Sequence, residues 1–291
     1  MFNAIKVGNR QIDLSVPVCM GILNVTPDSF SDGSQLKQDA SDRFIIDIDK
    51  ALHLAERMVN DGAAIIDVGG ESTRPGAAEV SIQEELDRVI PVIEVLAAKI
   101  NASLSVDTSK AEVMIAAINA GAGLVNDIRS LANAGTLEIV AESQAAVCLV
   151  HMQGTPSSMQ DACEYEDVVG EVFDFLKQKR DNCTSAGITN DKIIVDPGFG
   201  FGKSVEHNYQ LLKNLAYFKA LGQPILVGIS RKSMIGNEVD KPANGRIAGT
   251  IAATEYALRA GANIVRTHDV AATMDAIKVH LQIDRVCSTR D

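Results

Sequence analysis

The chain has 291 residues, of which 46% are hydrophobic and 22% are charged. This composition excludes a disordered chain, and the presence of only 8 prolines excludes a fibrous, polyproline-rich one. Because 27 Lys and Arg face 38 Asp and Glu, the net charge is −11. That charge argues against sequence-independent nucleic-acid binding, which needs a dense basic surface. We therefore expect no nucleic-acid partner, and an anionic substrate only through a local basic pocket.

The predicted elements follow one another in a regular alternation. The first segment, IKVGNRQIDL, alternates around Gly8 and Asn9 and predicts a β-hairpin. Short runs rich in Val, Ile and Leu then alternate with longer segments whose apolar residues are spaced i, i+3, i+4, which is typical of a parallel α/β fold. Eight strands are predicted, at residues 18–24, 63–70, 104–109, 123–129, 146–152, 192–198, 224–230 and 263–269.

The spacing of these strands favours one closed barrel. Their starts lie roughly 35 residues apart, the length of one strand and helix unit, and no linker or compositional break interrupts the series. We predict an α/β protein of one domain, residues 1–291, that folds as a (β/α)8 TIM barrel with the N-terminal hairpin closing its floor. An open, doubly wound sheet is the alternative.

Cysteines and apolar runs bear on the compartment. None of the five cysteines forms a C-x-x-C pair, so buried structural thiols are favoured over disulfides or zinc ligands. The chain contains no run of about 18 apolar residues, and its first residues lack the apolar core of a secretory signal. We expect a cytoplasmic protein without a membrane partner.

Polar side chains stand at the end of every predicted strand. In a parallel barrel the carboxyl ends of the strands meet at one mouth, where substrates bind. Any one of these residues could cap a helix or pair within the barrel, but a barrel has no structural need for all of them at one mouth. They are Asn24, Asp67, Glu71, Asp107, Asn126, Asp127, His151, Asp196, Ser230, Lys232, Arg266 and His268.

This mixture of side chains indicates the chemistry of a ligand. Carboxylates and an amide suit a planar heterocycle with several N–H donors, whereas Lys232 suits a ring acceptor. Arg266 and His268 stand two residues apart, so their side chains point to the same side of a strand and form a small anion pocket. The segment PGFGFGKS at 197–204 is not a nucleotide phosphate loop, because Pro197 replaces its first glycine. We interpret it as a turn that presents Phe201 as an apolar wall.

The histidines show no dense metal-ligand pattern, so a structural transition-metal site is not expected. Mg²⁺ differs, since it often needs only one or two protein oxygens together with substrate phosphates. Asn24 or Asp28 could supply them.

The strand-end segments together resemble the dihydropteroate synthase family of pterin-binding enzymes. The segments, in chain order, are GILNVTPDSFSDG at 21–33, GGESTRPG at 69–76, SVDTS at 105–109, NDI at 126–128, DPGFGFGK at 196–203, GISRK at 228–232 and RTH at 266–268. The resemblance implies a transferase that joins 6-hydroxymethyl-7,8-dihydropterin pyrophosphate to p-aminobenzoate. The products would be pyrophosphate and 7,8-dihydropteroate.

The resemblance also implies a role for individual residues. The pterin would be bound by Asp107, Asn126, Met152, Asp196, Lys232 and Arg266. Pyrophosphate would be bound by Asn24, Arg266 and His268, with Mg²⁺ on Asn24. The p-aminobenzoate site would comprise Phe30, Thr73, Arg74, Pro75, Phe201, Ser230 and Ser233. Catalysis would depend on Asp28, Lys232, Arg266 and His268.

Two other functions are compatible with parts of the pattern. A pterin-dependent methyltransferase could share the carboxylates, but it has no use for a pyrophosphate pocket built from Asn24, Arg266 and His268. A non-catalytic pterin-binding barrel is disfavoured because Asp28 and Lys232 are also present. Apolar helices predicted at 244–260 and 271–283 suit a homodimer, although their faces could simply cover the barrel.

Overall fold

A computed structural model describes residues 4–26, 46–72, 79–154, 159 and 163–287. Eight parallel strands form its central sheet. They are β3 (Val18–Asn24), β4 (Ala63–Gly69), β5 (Ser103–Asp107), β6 (Leu124–Asp127), β7 (Ala146–Val150), β8 (Ile193–Asp196), β9 (Leu226–Val227) and β10 (Ile264–Thr267).

The order of these strands in the sheet is β8-β7-β6-β5-β4-β3-β10-β9. A parallel bridge between Val195 and Ile225 joins the two outermost strands of that order and closes the sheet. The predicted (β/α)8 barrel is therefore confirmed, and the open-sheet alternative is wrong.

Helices surround the barrel. The α-helices of the described residues are α1 (Ile48–Asn60), α2 (Ile82–Lys99), α3 (Ala111–Ala120), α4 (Thr136–Glu142), α5 (Val168–Ser185), α6 (Val205–Lys213), α7 (Ser233–Val239), α8 (Ile247–Ala260) and α9 (Val270–Cys287). Short 3-10 helices span Asn190–Lys192, Leu215–Leu221 and Ala243–Gly245. Helix α1 shows the pattern: the side chain of Asp47 accepts from the backbone N–H of Lys50 at 2.9 Å, and Ala51 and Ala55 face the barrel.

The N-terminal hairpin closes the floor of the barrel, as predicted. Strands β1 (Ala4–Val7) and β2 (Arg10–Asp13) pair antiparallel around Gly8 and Asn9. Their buried side chains pack in one cluster with inward-facing residues that come mostly from the N-terminal part of each barrel strand. The hairpin contacts the barrel closely, since a Cβ on Gly123 would lie 2.8 Å from the backbone of Val7. This close contact requires glycine at position 123.

Three of the four described cysteines agree with the prediction of buried thiols. Cys19, Cys148 and Cys183 are free and buried, whereas Cys163 is free and only partly buried. None of the helices in the described ranges combines the length and the apolar character needed to cross a membrane.

Candidate active site

Strand register brings the predicted polar residues to one level at the mouth of the barrel. Asn24 on β3 lies opposite Gly69 on β4, Gly69 lies opposite Asp107 on β5, and Asp107 lies opposite Asn126 on β6. Side chains alternate between the two faces of a strand, so residues two positions apart share the inner face. Asp67 therefore points inward one step below this level.

Arg266 links the acidic side chains at the centre of the mouth. Its Nε donates to Oδ2 of Asp67 at 2.7 Å, and its Nη2 donates to Oδ2 of Asp107 at 2.7 Å. Asp67 Oδ2 also accepts from Nδ2 of Asn126 at 3.0 Å. Burial alone would lower the pKa of Arg266, but the two carboxylates outweigh it and raise that pKa above its usual value. The guanidinium is thus permanently charged and fixed in direction.

The carboxyl group of Asp107 titrates near neutral pH. Burial raises its pKa from 3.8 to about 7, Arg266 opposes the rise, and the neighbouring charge of Asp67 adds to it. Asp107 thus changes its charge close to physiological pH.

Asp196 and Lys232 form the opposite side of the mouth. Oδ1 of Asp196 accepts from the backbone N–H of Gly198 at 2.7 Å; burial raises the pKa of this carboxyl, and Lys232 opposes the rise. Nζ of Lys232 donates to the carbonyl of Phe199 and lies 4.4 Å from the ring centroid of Phe201. Burial lowers the pKa of Lys232 to about 8, against the attraction of Asp196. The two groups form an acceptor and donor pair suited to the edge of a polar ring.

Ser230 and His268 meet at the rim of the mouth. The hydroxyl Oγ of Ser230 lies 3.0 Å from Nδ1 of His268 and accepts from the backbone N–H of the same residue at 3.1 Å. Arg231 adopts a left-handed conformation with φ of 58° and donates from Nε to Oδ2 of Asp269 at 2.9 Å. Its backbone N–H donates to Oγ1 of Thr250 at 3.1 Å. These contacts hold the loop that carries Ser230 and Lys232.

Three buried oxygens at the mouth have no hydrogen-bond partner among the described residues. They are Oδ1 of Asp67, Oδ1 of Asn126 and Oγ of Ser105. Because an unpaired buried polar atom costs roughly 1–3 kcal/mol, such atoms are rarely retained without a role. Their position indicates that this mouth binds a polar ligand.

Asn24 offers an oxygen of the kind that Mg²⁺ prefers. A Cβ on Gly69 would lie 3.7 Å from Oδ1 of Asn24 and 3.8 Å from Oδ2 of Asp107, so the glycine leaves the space between these two oxygens open. An amide oxygen beside a carboxylate fits a hard cation that takes its other ligands from substrate and water. Within the described ranges, no group of three or more His, Cys, Asp or Glu side chains could hold a metal ion.

The structure brings most of the predicted residues together. The mouth gathers Asn24, Asp107, Asn126, Asp196, Phe201, Ser230, Lys232, Arg266 and His268. Met152 follows β7 and is half-buried, and Ser233 begins α7 with an exposed side chain. The predicted Asp28, Phe30, Thr73, Arg74 and Pro75 lie outside the described residues.

The sequence predicts Asp67 at a strand end, but sequence reasoning assigned it no ligand role. The structure shows that Asp67 orients both Arg266 and Asn126. Its signal in the sequence was a carboxylate that directly follows the apolar run of β4. A second group that the sequence reasoning missed is Lys110, whose Nζ pairs with Glu71 at 2.8 Å and with the fully buried Glu85 at 2.5 Å.

The fold and these side chains define a (β/α)8-barrel enzyme with a site for a planar polar ligand and an anion. A family model described as pterin binding enzyme matches residues 20–268. A dihydropteroate synthase from Haemophilus influenzae is 52% identical over 271 residues, covering 93% of this chain and 95% of the relative. The chain belongs to the pterin-binding enzyme family and, within it, to the dihydropteroate synthases.

Solved structures agree with that assignment. A Xanthomonas albilineans dihydropteroate synthase with 4-aminobenzoic acid matches with a TM-score of 0.89 and 44% identity, covering 98% of this chain and 99% of that one. The Xanthomonas albilineans enzyme in complex with 7,8-dihydropteroate matches with a TM-score of 0.83 and 38% identity, covering 97% and 99%.

Proposed function

We propose that this protein condenses 6-hydroxymethyl-7,8-dihydropterin pyrophosphate with p-aminobenzoate and releases pyrophosphate. The observation that carries the proposal is that Arg266 joins Asp67 and Asp107, and Asp67 binds Asn126, at one mouth, opposite Asp196 and Lys232. The complexes named for the Xanthomonas albilineans relatives contain one substrate and the product of this reaction, which supports the same assignment.

The pterin binds by its polar edge. Because Nδ2 of Asn126 is committed to Asp67, its buried Oδ1 remains to accept an N–H of the ring. The carboxylates of Asp107 and Asp196 accept further ring N–H groups, and Lys232 donates to a ring acceptor. Met152 and the guanidinium of Arg266 lie against the ring faces.

The diphosphate binds at the rim, where Arg266 on β10 and His268 directly after β10 lie on one side of the chain. The amide oxygen of Asn24, beside Asp107, would hold Mg²⁺. When bound, this ion would supply positive charge that lowers the energy of the departing diphosphate.

The reaction requires no covalent bond to the protein. The bond between the pterin methylene carbon and the diphosphate oxygen breaks, and its electron pair leaves with pyrophosphate. The aniline nitrogen of p-aminobenzoate then forms the new C–N bond and loses a proton. Arg266 and His268 stabilise the anion that leaves, while the carboxylates of Asp107 and Asp196 stabilise the positive charge that develops on the dihydropterin. Asp28 is proposed to assist from the segment that follows β3.

The second substrate lies between the rim and the turn after β8. Phe201 provides an apolar ring surface at the entrance, with Nζ of Lys232 at 4.4 Å from its centroid. Ser230 and Ser233 stand next to Lys232, where hydroxyl and N–H donors suit the carboxylate of p-aminobenzoate. Phe30, Thr73, Arg74 and Pro75 are proposed to complete this site.

We also propose that the protein is a homodimer. Helices α8 and α9 pack side by side and present large exposed apolar side chains: Ile247, Tyr256, Val279, Ile283 and Val286. Such a surface is typical of an interface. Light scattering at several concentrations tests this point, and a mass equal to one chain throughout would refute it. The cytoplasmic location stays a prediction.

A turnover assay tests the proposed function. Purified protein is incubated with the pterin pyrophosphate and Mg²⁺, with and without p-aminobenzoate, while pyrophosphate and dihydropteroate are measured. We expect equal amounts of both products when p-aminobenzoate is present, and loss of turnover on chelation of the metal. Tight pterin binding without product would instead indicate a binding protein.

A further inference from the structure

Lys203 is a buried lysine that sits behind the active site. It lies between β8 and α6, and its relative exposure is 3%. Its Nζ contacts the carbonyl oxygens of Gly198 at 2.8 Å, Phe201 at 2.9 Å and His151 at 3.3 Å, and it lies 2.9 Å from Nδ1 of His151. All four of these acceptors are uncharged.

The geometry of these contacts favours the ammonium form of Lys203. Burial, together with the Lys203 charge, lowers the pKa of His151 to about 2, so the imidazole is neutral and its Nδ1 can accept a hydrogen bond. An ammonium group has three N–H donors, which match the three acceptors within 2.9 Å, whereas a neutral amine has two and fills the third contact only by accepting from the Nδ1–H tautomer of His151. Burial opposes this and sets the pKa of Lys203 well below its usual value, although the attraction of Asp196 raises it.

The contacts of Lys203 determine the shape of the turn at 198–202. Gly198, Gly200 and Gly202 all have positive φ, at 72°, 82° and 63°, a conformation that glycine adopts readily. A Cβ on Gly198 would lie 1.8 Å from the carbonyl oxygen of His151. The turn is therefore pressed against the end of β7, and Lys203 joins the two segments by bonding to both.

The same turn holds Lys232. The carbonyl of Phe199 accepts from Nζ of Lys232, and the ring of Phe201 lies beneath that ammonium at 4.4 Å. A Cβ on Gly200 would lie 3.2 Å from Cδ of Lys232, so the stem of the lysine also packs on this turn. Lys203 bonds to the carbonyl of Phe201. The two lysines thus bond to the same glycine-rich turn.

We propose that Lys203 is a positioning residue for the reaction: its ammonium holds the turn at 198–202 in the shape that directs Lys232 toward the pterin. The inference rests on the proposed function, because Lys232 binds the pterin there. Lys203 itself touches no substrate. Replacement by methionine, which keeps an unbranched stem but ends one atom short of Nζ, removes the three donors and frees the turn to rearrange.

The first experiment measures pterin affinity by calorimetry in the wild type and in Lys203→Met. We expect binding to weaken by about tenfold or more, as for other residues that orient a ligand-binding group. Lys192→Met is the matched control. Lys192 directly precedes β8, and its Nζ bonds to the carbonyl of Ser143 at 3.3 Å and to Gln144 at 3.2 Å rather than to the turn at 198–202. That variant should bind within about twofold of the wild type.

A double-mutant cycle separates positioning from simple stability. If Lys203 acts through Lys232, the double variant Lys203→Met/Lys232→Met should bind the pterin within about twofold of Lys232→Met alone. If the affinity losses of the two single variants multiply in the double variant, the inference is overturned. Wild-type affinity in Lys203→Met would also overturn it. If the wild type itself fails to bind the pterin, the proposed function fails instead.

A measurement on the wild type covers the case in which Lys203→Met does not fold. In a sample with ¹³C at the lysine Cε, the shift of Lys203 should be that of an ammonium at pH 7, and it should stay unchanged when the pterin is added. A neutral amine at pH 7 would contradict the inference without any variant.

Discussion

The lower and upper halves of the barrel interior are built from the same strands but differ in chemistry. Below, Met20, Ile65, Leu124 and Ile194 pack against the hairpin in a fully apolar cluster. Above, a buried group of charges surrounds Arg266, and three oxygens there have no partner among the described residues. Apolar burial stabilises a fold, whereas unpaired buried polar atoms destabilise it. The floor therefore stabilises the fold, whereas the unpaired polar atoms of the mouth lower stability and are available to bind a ligand.

The largest expected effect is at the mouth, for Arg266→Met. The change leaves Asp67 and Asp107 buried without their cation, so the free energy of unfolding at pH 8 should fall by about 3–5 kcal/mol. Turnover and pterin binding should be lost, because the guanidinium also orients both carboxylates. Urea unfolding and calorimetry measure the two effects.

Arg259→Met is the control for that substitution. Arg259 is exposed and its Nε lies 3.8 Å from Glu255, so its removal should change stability by no more than about 0.5 kcal/mol. If Arg266→Met were as stable as the wild type, Arg266 would not stabilise Asp67 and Asp107 as the distances indicate.

A floor substitution should produce the reverse pattern. Ile5→Ala removes a fully buried side chain of the hairpin, which should lower the free energy of unfolding by about 2–5 kcal/mol. Pterin affinity and kcat of the folded protein should remain within about twofold, since the floor contacts no substrate. The same two measurements apply, and a larger loss of affinity than of stability would mean that the two halves are not separable.

Titration should distinguish the halves next, because Asp107 and Lys232, whose pKa values lie near neutrality, are both at the mouth. The pKa of Asp107 is about 7 and that of Lys232 is about 8. As pH falls below the first value, protonation removes an acceptor; as pH rises above the second, deprotonation removes a donor. Pterin affinity should therefore be greatest between these values and decline by up to about tenfold per pH unit outside them.

Calorimetry from pH 5.5 to 9.5 measures that profile. Asp107→Asn should bind more weakly and lose the decline on the acid side, whereas Ile5→Ala should keep the wild-type shape. If the pterin affinity of Asp107→Asn still declines as pH falls below 7, a group other than Asp107 causes the decline on the acid side.

The sequence predicted the barrel well because its signals are local. Each strand is a short apolar run, and each functional side chain at the mouth ends such a run, as Asn24 and Asp107 do. The role of Asp67 could not be predicted, because it depends on which oxygen faces Arg266 across the barrel interior. Lys203 was also missed: it stands in a recognised motif, but its partners on His151 lie just after β7, about 50 residues away in sequence.

The smallest effect is expected outside the floor cluster, for Lys6→Met. Nζ of Lys6 pairs with Asp191 at 2.6 Å, but the two side chains remain 57% and 37% exposed. Water screens such a pair, so its loss should lower the free energy of unfolding by no more than about 1 kcal/mol.

The pair also holds the pKa of Asp191 below its usual value through hydrogen bonds from Lys6 and Thr189. The small stabilisation from Lys6 should therefore be present above pH 4 and disappear on acidification. Urea unfolding at pH 7 and pH 3 measures this difference. A loss comparable to that of Arg266→Met would mean that the distance between two charges, rather than their burial, determines the strength of ion pairs in this barrel.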